Sequence, residues 1–333
     1  MDESKQQIIV FGGNGFLGKA IIHGLLAKGY EVCSFHRSPA PDLEFSGVKV
    51  IRGDIRNQSQ VTEACRNCNA VIHTAALTGI AGNYRDYYAI NVEGTMNVLQ
   101  ACRINNIRNL VYTSSPSVAY PPTRDIEGID ESAPYPEHYL AHYPATKAIA
   151  EKNVLNATDK NLSAVCIRPH LIWGPGDNNL LPRLIQRARA GKLIKVGNGN
   201  NKVDLTYIEN AAHAHLLALD FLHKHDNPQR KVYFISDNAP VVLWEWIAAL
   251  LERLEIAPPS RSISLKRAWR LGKIAEMIWA VLPGEPPLTR FTAGQLAYSH
   301  FFNISAAMRE LGYSPIVSPE RALDDTVKWL KQY

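Results

Sequence analysis

Ile8-Ile9-Val10-Phe11-Gly12-Gly13-Asn14-Gly15-Phe16-Leu17-Gly18 runs from a wholly apolar segment straight into a glycine-rich turn, and a helical pattern follows through Leu26. A short run with no polar position suits a strand covered on both faces, as in a parallel sheet. Gly12 permits the tight turn, Gly15 lets backbone approach a pyrophosphate, and Gly18 allows the helix to lie close on the strand. The N–H groups that open the helix are oriented donors for phosphate. With Asn14, Phe16 and Leu17 completing the turn, the stretch predicts a dinucleotide site on a doubly wound parallel sheet of the α/β class.

Working outward, Glu31-Val32-Cys33-Ser34-Phe35 reads as a second strand, and a carboxylate at its end would take the ribose hydroxyls of NAD. The residues there are His36-Arg37-Ser38. An Arg with a nearby hydroxyl accepts a 2′-phosphate, so His36 and Arg37 favour NADP(H) over NAD(H). Val48 to Ile51 is a third strand, leading to Gly53-Asp54-Ile55, with Asp54 and Ile55 placed to reach adenine. Val71-Ile72-His73-Thr74-Ala75-Ala76 is a fourth, and Thr74, Ala75 and Ala76 leave room for a cofactor across the sheet edge. His73, inside the apolar run, reads as a packed strand residue. A helix from Asn91 to Asn105 returns to a fifth strand, Leu110 to Ser115, whose terminal hydroxyls lie where ligands of such sheets bind.

His142-Tyr143-Pro144-Ala145-Thr146-Lys147 opens a helix that continues through Lys152. A Tyr and a Lys four apart share a helix face, which brings an ammonium beside a phenol. A free phenol titrates near pH ~10; an adjacent cation and a positively charged nicotinamide ring favour the phenolate and draw that value down. Tyr143 then trades a proton with a substrate hydroxyl or carbonyl.

The chain has 333 residues, 46% of them hydrophobic, enough for a large α/β domain and a smaller lobe. Its net charge of +5 is dispersed, which argues against nucleic acid as a partner. The polar start, Met1 to Gln7, passes directly into a strand, and no membrane-spanning run follows, so a cytoplasmic location is expected. The five cysteines read as free buried thiols. Cys65-Arg66-Asn67-Cys68 lacks a second ligand pair, and His213, His215, His223 and His225 point different ways on a helix, so no metal is expected.

Taken together, the glycine turn, Gly53-Asp54-Ile55, His73-Thr74-Ala75-Ala76, the Ser114-Ser115 strand end and Tyr143 to Lys147 resemble the extended short-chain dehydrogenase/reductases, which have a Rossmann fold. The likeness continues through Ile167 to Asp177 and Val203 to Asn210. Ser115-Pro116-Ser117-Val118, Asp130 to Pro136, Arg168-Pro169-His170, Leu288 to Phe291 and Phe302 to Ser305 before Glu310-Leu311-Gly312-Tyr313 resemble its 3β-hydroxysteroid dehydrogenase/isomerase branch. That branch includes sterol-4-carboxylate 3-dehydrogenases and 2-alkyl-3-oxoalkanoate reductases. Phe11 departs from the usual Thr, and His36-Arg37 from the usual acid.

The resemblance implies an NAD(P)-dependent oxidoreductase interconverting a secondary alcohol and a ketone on a hydrophobic substrate, a 3β-hydroxysteroid or a long-chain 3-hydroxy or 3-oxo acid. It makes Tyr143 the proton donor or acceptor, and Lys147 the ligand of the nicotinamide ribose that lowers the Tyr pKa. Ser115 hydrogen-bonds the reacting oxygen, with Ser114 as its rival, and Pro169, His170 and Leu171 line the carboxamide site. His142 reads as a surface residue. A homodimer pairing two helices is a family habit. The alternative on the same fold is a nucleotide-sugar epimerase or dehydratase with retained NAD.

Strand–helix alternation stops after Asp177. The expected division is a dinucleotide-binding part, 1–175 rejoined by 203–235, and a substrate-binding lobe, 176–202 and 236–333. Within the lobe, 265–282 combines Lys266, Arg267, Arg270 and Lys273 with a broad apolar side and two Trp. Three uses stay open for it: capping a hydrophobic pocket, peripheral contact with a membrane, or ordinary core.

Overall fold

Strand β1 (Gln7–Phe11) is the middle of the fold because its side chains alternate between two cores. Ile8 and Val10 belong to one buried cluster, Ile9 and Phe11 to the other, and all four are fully buried. Each such burial stabilises by roughly 1.5–3 kcal/mol. In this computed structural model, residues 6–79, 82–279, 282 and 284–332 are described.

Six further strands join β1: β2 (Glu31–His36), β3 (Lys49–Arg52), β4 (Ala70–His73), β5 (Asn109–Thr113), β6 (Ser163–Pro169) and β7 (Arg230–Ile235). Their order is β7-β6-β5-β4-β1-β2-β3, and every pairing is parallel. Strand order reverses between β1 and β4, which opens a crevice at the carboxyl ends where such sheets bind ligands. Helix α1 (Phe16–Ala27) covers one face with α4 (Ile208–Lys224), so closely that a Cβ on Gly24 would meet Leu216 Cδ1 at 2.6 Å. Helices α2 (Gly94–Ile104) and α3 (His142–Ala157) cover the other, through Val98, Leu99, Ala150 and Val154.

A second sheet lies in the remaining chain, with the order Val241–Val242, Lys202–Val203, His300–Phe302, Ile126–Ile129. It draws one strand from before Tyr143 and three from after Asp177. Helix α5 (Leu265–Trp279) packs against α6 (Arg290–Ala297) outside this sheet. The expected stretch 265–282 is thus helical to Trp279, while Ala280 and Val281 lie outside the described residues. Among the described residues no helix is long and apolar enough to cross a membrane.

Three boundaries differ from the sequence reading. Strand β4 ends at His73 because Thr74 turns over β1, donating from both N and Oγ1 to the Phe11 carbonyl at 2.9 Å. Strand β5 ends at Thr113, and Ser115 caps a short 3₁₀ turn, Pro116–Val118. The helix expected from Asn91 is preceded by a π-helical turn, Tyr88–Glu93, a distortion often found at functional sites. Asn91 lies in it and ties three elements together: its Oδ1 accepts from Leu77 N at 2.7 Å, and its Nδ2 donates to Leu77 O and Thr146 Oγ1, each at 3.1 Å.

Candidate active site

The Tyr143 phenol, near the start of α3, is partly buried beside Ser115 just beyond the end of β5. Burial pushes its pKa up to about 12, and the Ser115 hydroxyl, near enough to hydrogen-bond it, pulls the other way. Ser115 is itself held by Ser117, with the two Oγ atoms 2.8 Å apart and the Ser117 N–H donating to Ser115 Oγ at 3.3 Å. Ser114 is turned away. It is buried on the Glu151 side, where its hydroxyl helps hold that carboxylate ionised without a well-formed hydrogen bond of its own.

Lys147 follows one helical turn later and is 2% exposed, so its charge must find partners inside the protein. Its Nζ donates to Tyr112 Oη and to the Thr113 carbonyl, both at 2.6 Å, and lies 4.1 Å from the centre of the Tyr112 ring. Burial lowers its pKa to about 7, against the opposing charge of Glu151. The ammonium is therefore held on β5, and in the protein without cofactor burial keeps the Tyr143 phenol above its ordinary range.

Glu151 continues the same face and is fully buried. It accepts from Arg168 Nε at 2.9 Å, from Arg168 Nη2 at 2.5 Å and from Tyr135 Oη at 2.5 Å. Burial works against its charge, but the Arg168 guanidinium more than offsets this and holds it below the usual carboxylate range. An ion pair this deep depends on these hydrogen bonds, although Arg168 Nη1 is left without one among the described residues.

The glycine turn fits a dinucleotide. Gly12 has φ +82°, and a Cβ there would meet the Ala75 backbone and Thr74 Oγ1 at 2.8 Å; on Gly18 it would lie 2.2 Å from the Gly12 carbonyl. Gly15 is the N-cap of α1 with no side-chain hydrogen bond on the cap, so backbone N–H groups are left for an anion. Asn14 Nδ2 donates to the Pro39 carbonyl, and Phe16 lies under Gly176.

Residues 9–267 match the model of the 3-beta hydroxysteroid dehydrogenase/isomerase family. The chain belongs to that family. This 3-beta hydroxysteroid dehydrogenase/isomerase family member is 47% identical over 320 residues to a 2-alkyl-3-oxoalkanoate reductase of Stenotrophomonas maltophilia, covering 95% of this chain and 97% of the relative. It is 32% identical over 326 residues to the decarboxylating sterol-4-alpha-carboxylate 3-dehydrogenase of Mus musculus, covering 96% and 89%. Its fold resembles that of the UDP-glucuronic acid 4-epimerase from Bacillus cereus in complex with NAD, with a TM-score of 0.77, 22% identity and 98% and 99% coverage. At that identity the likeness concerns the fold.

The remaining expected residues of this family member are spread around the crevice. His36 ends β2 and is buried; its Nδ1 is 2.9 Å from Ser34 Oγ, and its Nε2 has no hydrogen-bond partner. Burial, then Lys19 and Arg52, lowers its pKa. Arg37 is exposed and acts on Asp54, whose carboxylate is paired to Arg56 at 2.5 Å. Ile55 is buried against Gly94. Pro169 ends β6, and the His170 ring turns into the joint with the second sheet, its Nε2 2.7 Å from His300 Nδ1. His73 is buried, with Nε2 3.0 Å from Thr95 Oγ1. His142 is exposed, against the rings of Tyr84 and Tyr87. Sequence reading missed Tyr112, Glu151 and Asn91. Only Glu151 left a signal, its spacing of four from Lys147 on the same helix face.

Proposed function

We propose that the chain is an NAD(P)-dependent oxidoreductase that interconverts a secondary alcohol and a ketone on a hydrophobic substrate, with NADP(H) preferred. The observation that carries this is Tyr143 beside Ser115, with Lys147 buried one turn behind, at the carboxyl edge of a sheet whose glycine turn fits a dinucleotide. The named relatives are a reductase of 2-alkyl-3-oxoalkanoates and a sterol dehydrogenase, which supports a long-chain 3-oxo acid or a 3-oxosteroid as the ketone.

A bound nicotinamide dinucleotide supplies the hydride for the carbonyl carbon, or accepts it from the carbinol. The phenol of Tyr143 holds the proton at its Oη, and a pKa pushed up by burial keeps it there until the ketone oxygen gains negative charge. Ser115 donates to the same oxygen and, anchored by Ser117, needs no rearrangement to do so. Lys147, while protonated, supplies positive charge behind the phenol and, with two of its donors on β5, a third for the nicotinamide ribose. These parts suit reduction: one hydride and one proton enter, and the alcohol leaves. Pro169 and Leu171 would flank the carboxamide; Leu171 is held at φ +40°, a strained conformation for a branched residue.

His36 and Arg37 would receive the 2′-phosphate. Fluorescence titration with NADPH and NADH tests this, and tighter binding of NADH defeats it. Residues 1–175 and 203–235 would hold the cofactor, and 176–202 and 236–333 the substrate. A screen of steroids, 3-oxoacyl compounds and UDP-sugars for change in NADPH or NADP⁺ absorbance tests the activity; turnover of a UDP-sugar alone, with retained NAD, would establish the epimerase or dehydratase reading instead. A homodimer and peripheral membrane contact through 265–282 accord with this substrate class.

A further inference from the structure

Helix α5 is seated by its smallest residues. Ala268, Gly272 and Ala275 are its buried positions, and a Cβ on Gly272 would meet the Thr289 and Arg290 backbone at 2.7 Å. Its large apolar residues point the other way: Leu271 is 52% exposed, Ile274 52%, Met277 66% and Ile278 43%. Exposed large apolar residues elsewhere, such as Ile104, Ile194 and Ile316, are scattered along the chain, whereas five on or just after this one helix, Leu282 included, form a patch that calls for a partner.

The charges around it say which. Lys266, Arg267, Arg270 and Lys273 are exposed, and among the described residues no ion pair or hydrogen bond engages any of their four charged groups. The helix's acid, Glu276, is on the opposite flank, paired to Arg290 at 2.7 Å. At 100° per residue, Ile274, Ile278 and Leu271 fill an arc with Arg267 inside it, and Arg270, Lys266 and Lys273 border it. A second copy of this chain would bring four cations against four, so self-association through this face is opposed. A pocket cap would turn its large side chains inward.

We propose that the outer face of α5 docks on an anionic lipid surface, with Leu271, Ile274, Met277 and Ile278 in the headgroup–acyl boundary and the four cations on lipid phosphates. The distribution is that of a helix lying in a membrane interface. Beyond α5 the chain crosses the helix Leu180–Arg189, where Arg183 pairs with Glu285 at 2.7 Å and Arg187 Nη2 donates to the Pro287 carbonyl at 2.9 Å. Glu285 lies near enough to Tyr87 to raise its pKa, and Tyr87 near enough to Tyr143 to do the same. The segment that follows α5 thus runs beside the phenol, and a docked α5 would bring that edge of the crevice to the bilayer, from which apolar ketones could be loaded. This loading step rests on the reductase reading above; the docking does not.

The test is flotation of the intact protein with vesicles of phosphatidylcholine alone and of phosphatidylcholine with phosphatidylglycerol. The protein is expected to float with the anionic vesicles, to stay behind with the neutral ones, and to be released by high salt. Arg267→Ser with Arg270→Ser should weaken anionic binding by roughly 30-fold, from about 1 kcal/mol per cation. Ile274→Ser with Ile278→Ser should weaken it as well. Both double variants should keep the melting temperature and the NADPH-dependent reduction of a short, water-soluble ketone. A parent protein that fails to float, binding that neither pair alters, or capture by soluble polyglutamate in place of vesicles overturns the proposal. Ketone reduction without flotation removes the docking and leaves the activity; flotation without reduction of any ketone removes the loading step and leaves the docking.

Discussion

Helices α3 and α5 have 16 and 15 residues and invert each other's burial. The inner face of α3 encloses Lys147 and Glu151, charges that belong in water by composition, while α5 encloses only Ala and Gly and leaves Leu, Ile and Met outside. Each inversion is bearable for a different reason. The buried charges of α3 are matched by partners on β5 and β6, so desolvation is offset by short hydrogen bonds. Among the described residues nothing covers the exposed apolar side chains of α5, and a patch of that kind marks a face that meets a partner. Where burial runs against composition, the molecule is built to act on something it does not itself contain.

Four experiments would break or sharpen this contrast. Tyr143→Phe removes the group that α3 presents to the substrate, and kcat should fall on the order of a hundredfold to ten-thousandfold with melting unchanged; steady-state kinetics near the parent rate would dismantle the mechanism. Glu151→Ala strands Arg168 in the interior and should cost about 3–5 kcal/mol of stability by urea denaturation. A loss below about 1 kcal/mol would mean that the pair is hydrated.

The third concerns pH. The folded pKa of Lys147 is depressed to about 7 from an ordinary 10.5, so between those values the unfolded chain binds more protons than the folded one. Without cofactor this one group should add stability as pH rises from about 7 to 8, by at most about 1.4 kcal/mol per pH unit and before the buried Cys and Tyr, whose pKa values burial raises, work the other way; the parent's slope there should exceed that of Lys147→Met by this amount. Activity that needs the ammonium should decline as pH climbs through about 7. A flat stability profile shared by both proteins would show the cation to be solvated. The smallest effect belongs to α5: Ile274→Ser, at a side chain 52% exposed, should change stability by no more than about 0.5 kcal/mol in thermal unfolding.

The first five strands of the main sheet and the Tyr–Lys helix were legible because each rests on a local pattern, whereas β6, with Arg168 buried in it, was not read as a strand. Apolar runs of β-branched residues between turns, glycines at fixed offsets and a period near four are all properties of neighbouring positions. The ends of β4 and β5 were less so, since Thr74 leaves the ladder to reach the Phe11 carbonyl, a contact 63 residues away. Nothing near His170 in the chain announces His300, 130 positions on, yet the two rings share a hydrogen bond and join the main sheet to the second one. Likewise the preference of Ser115 over Ser114 for the phenol follows from where β5 ends and the 3₁₀ turn begins, and the sequence alone left both open.

By itself, then, the order of residues determined the parallel sheet, the phosphate-binding turn and the helix face carrying a phenol, an ammonium and a carboxylate at intervals of four. Tertiary structure decided which of those groups keeps its charge, because desolvation and partner supply are set by segments distant in sequence: burial raises Tyr143, Tyr112 and Thr113 engage Lys147, and Arg168 secures Glu151. It also decided that α5 turns its apolar residues outward, since the approach of Thr289 and Arg290 admits only small side chains on the inner face.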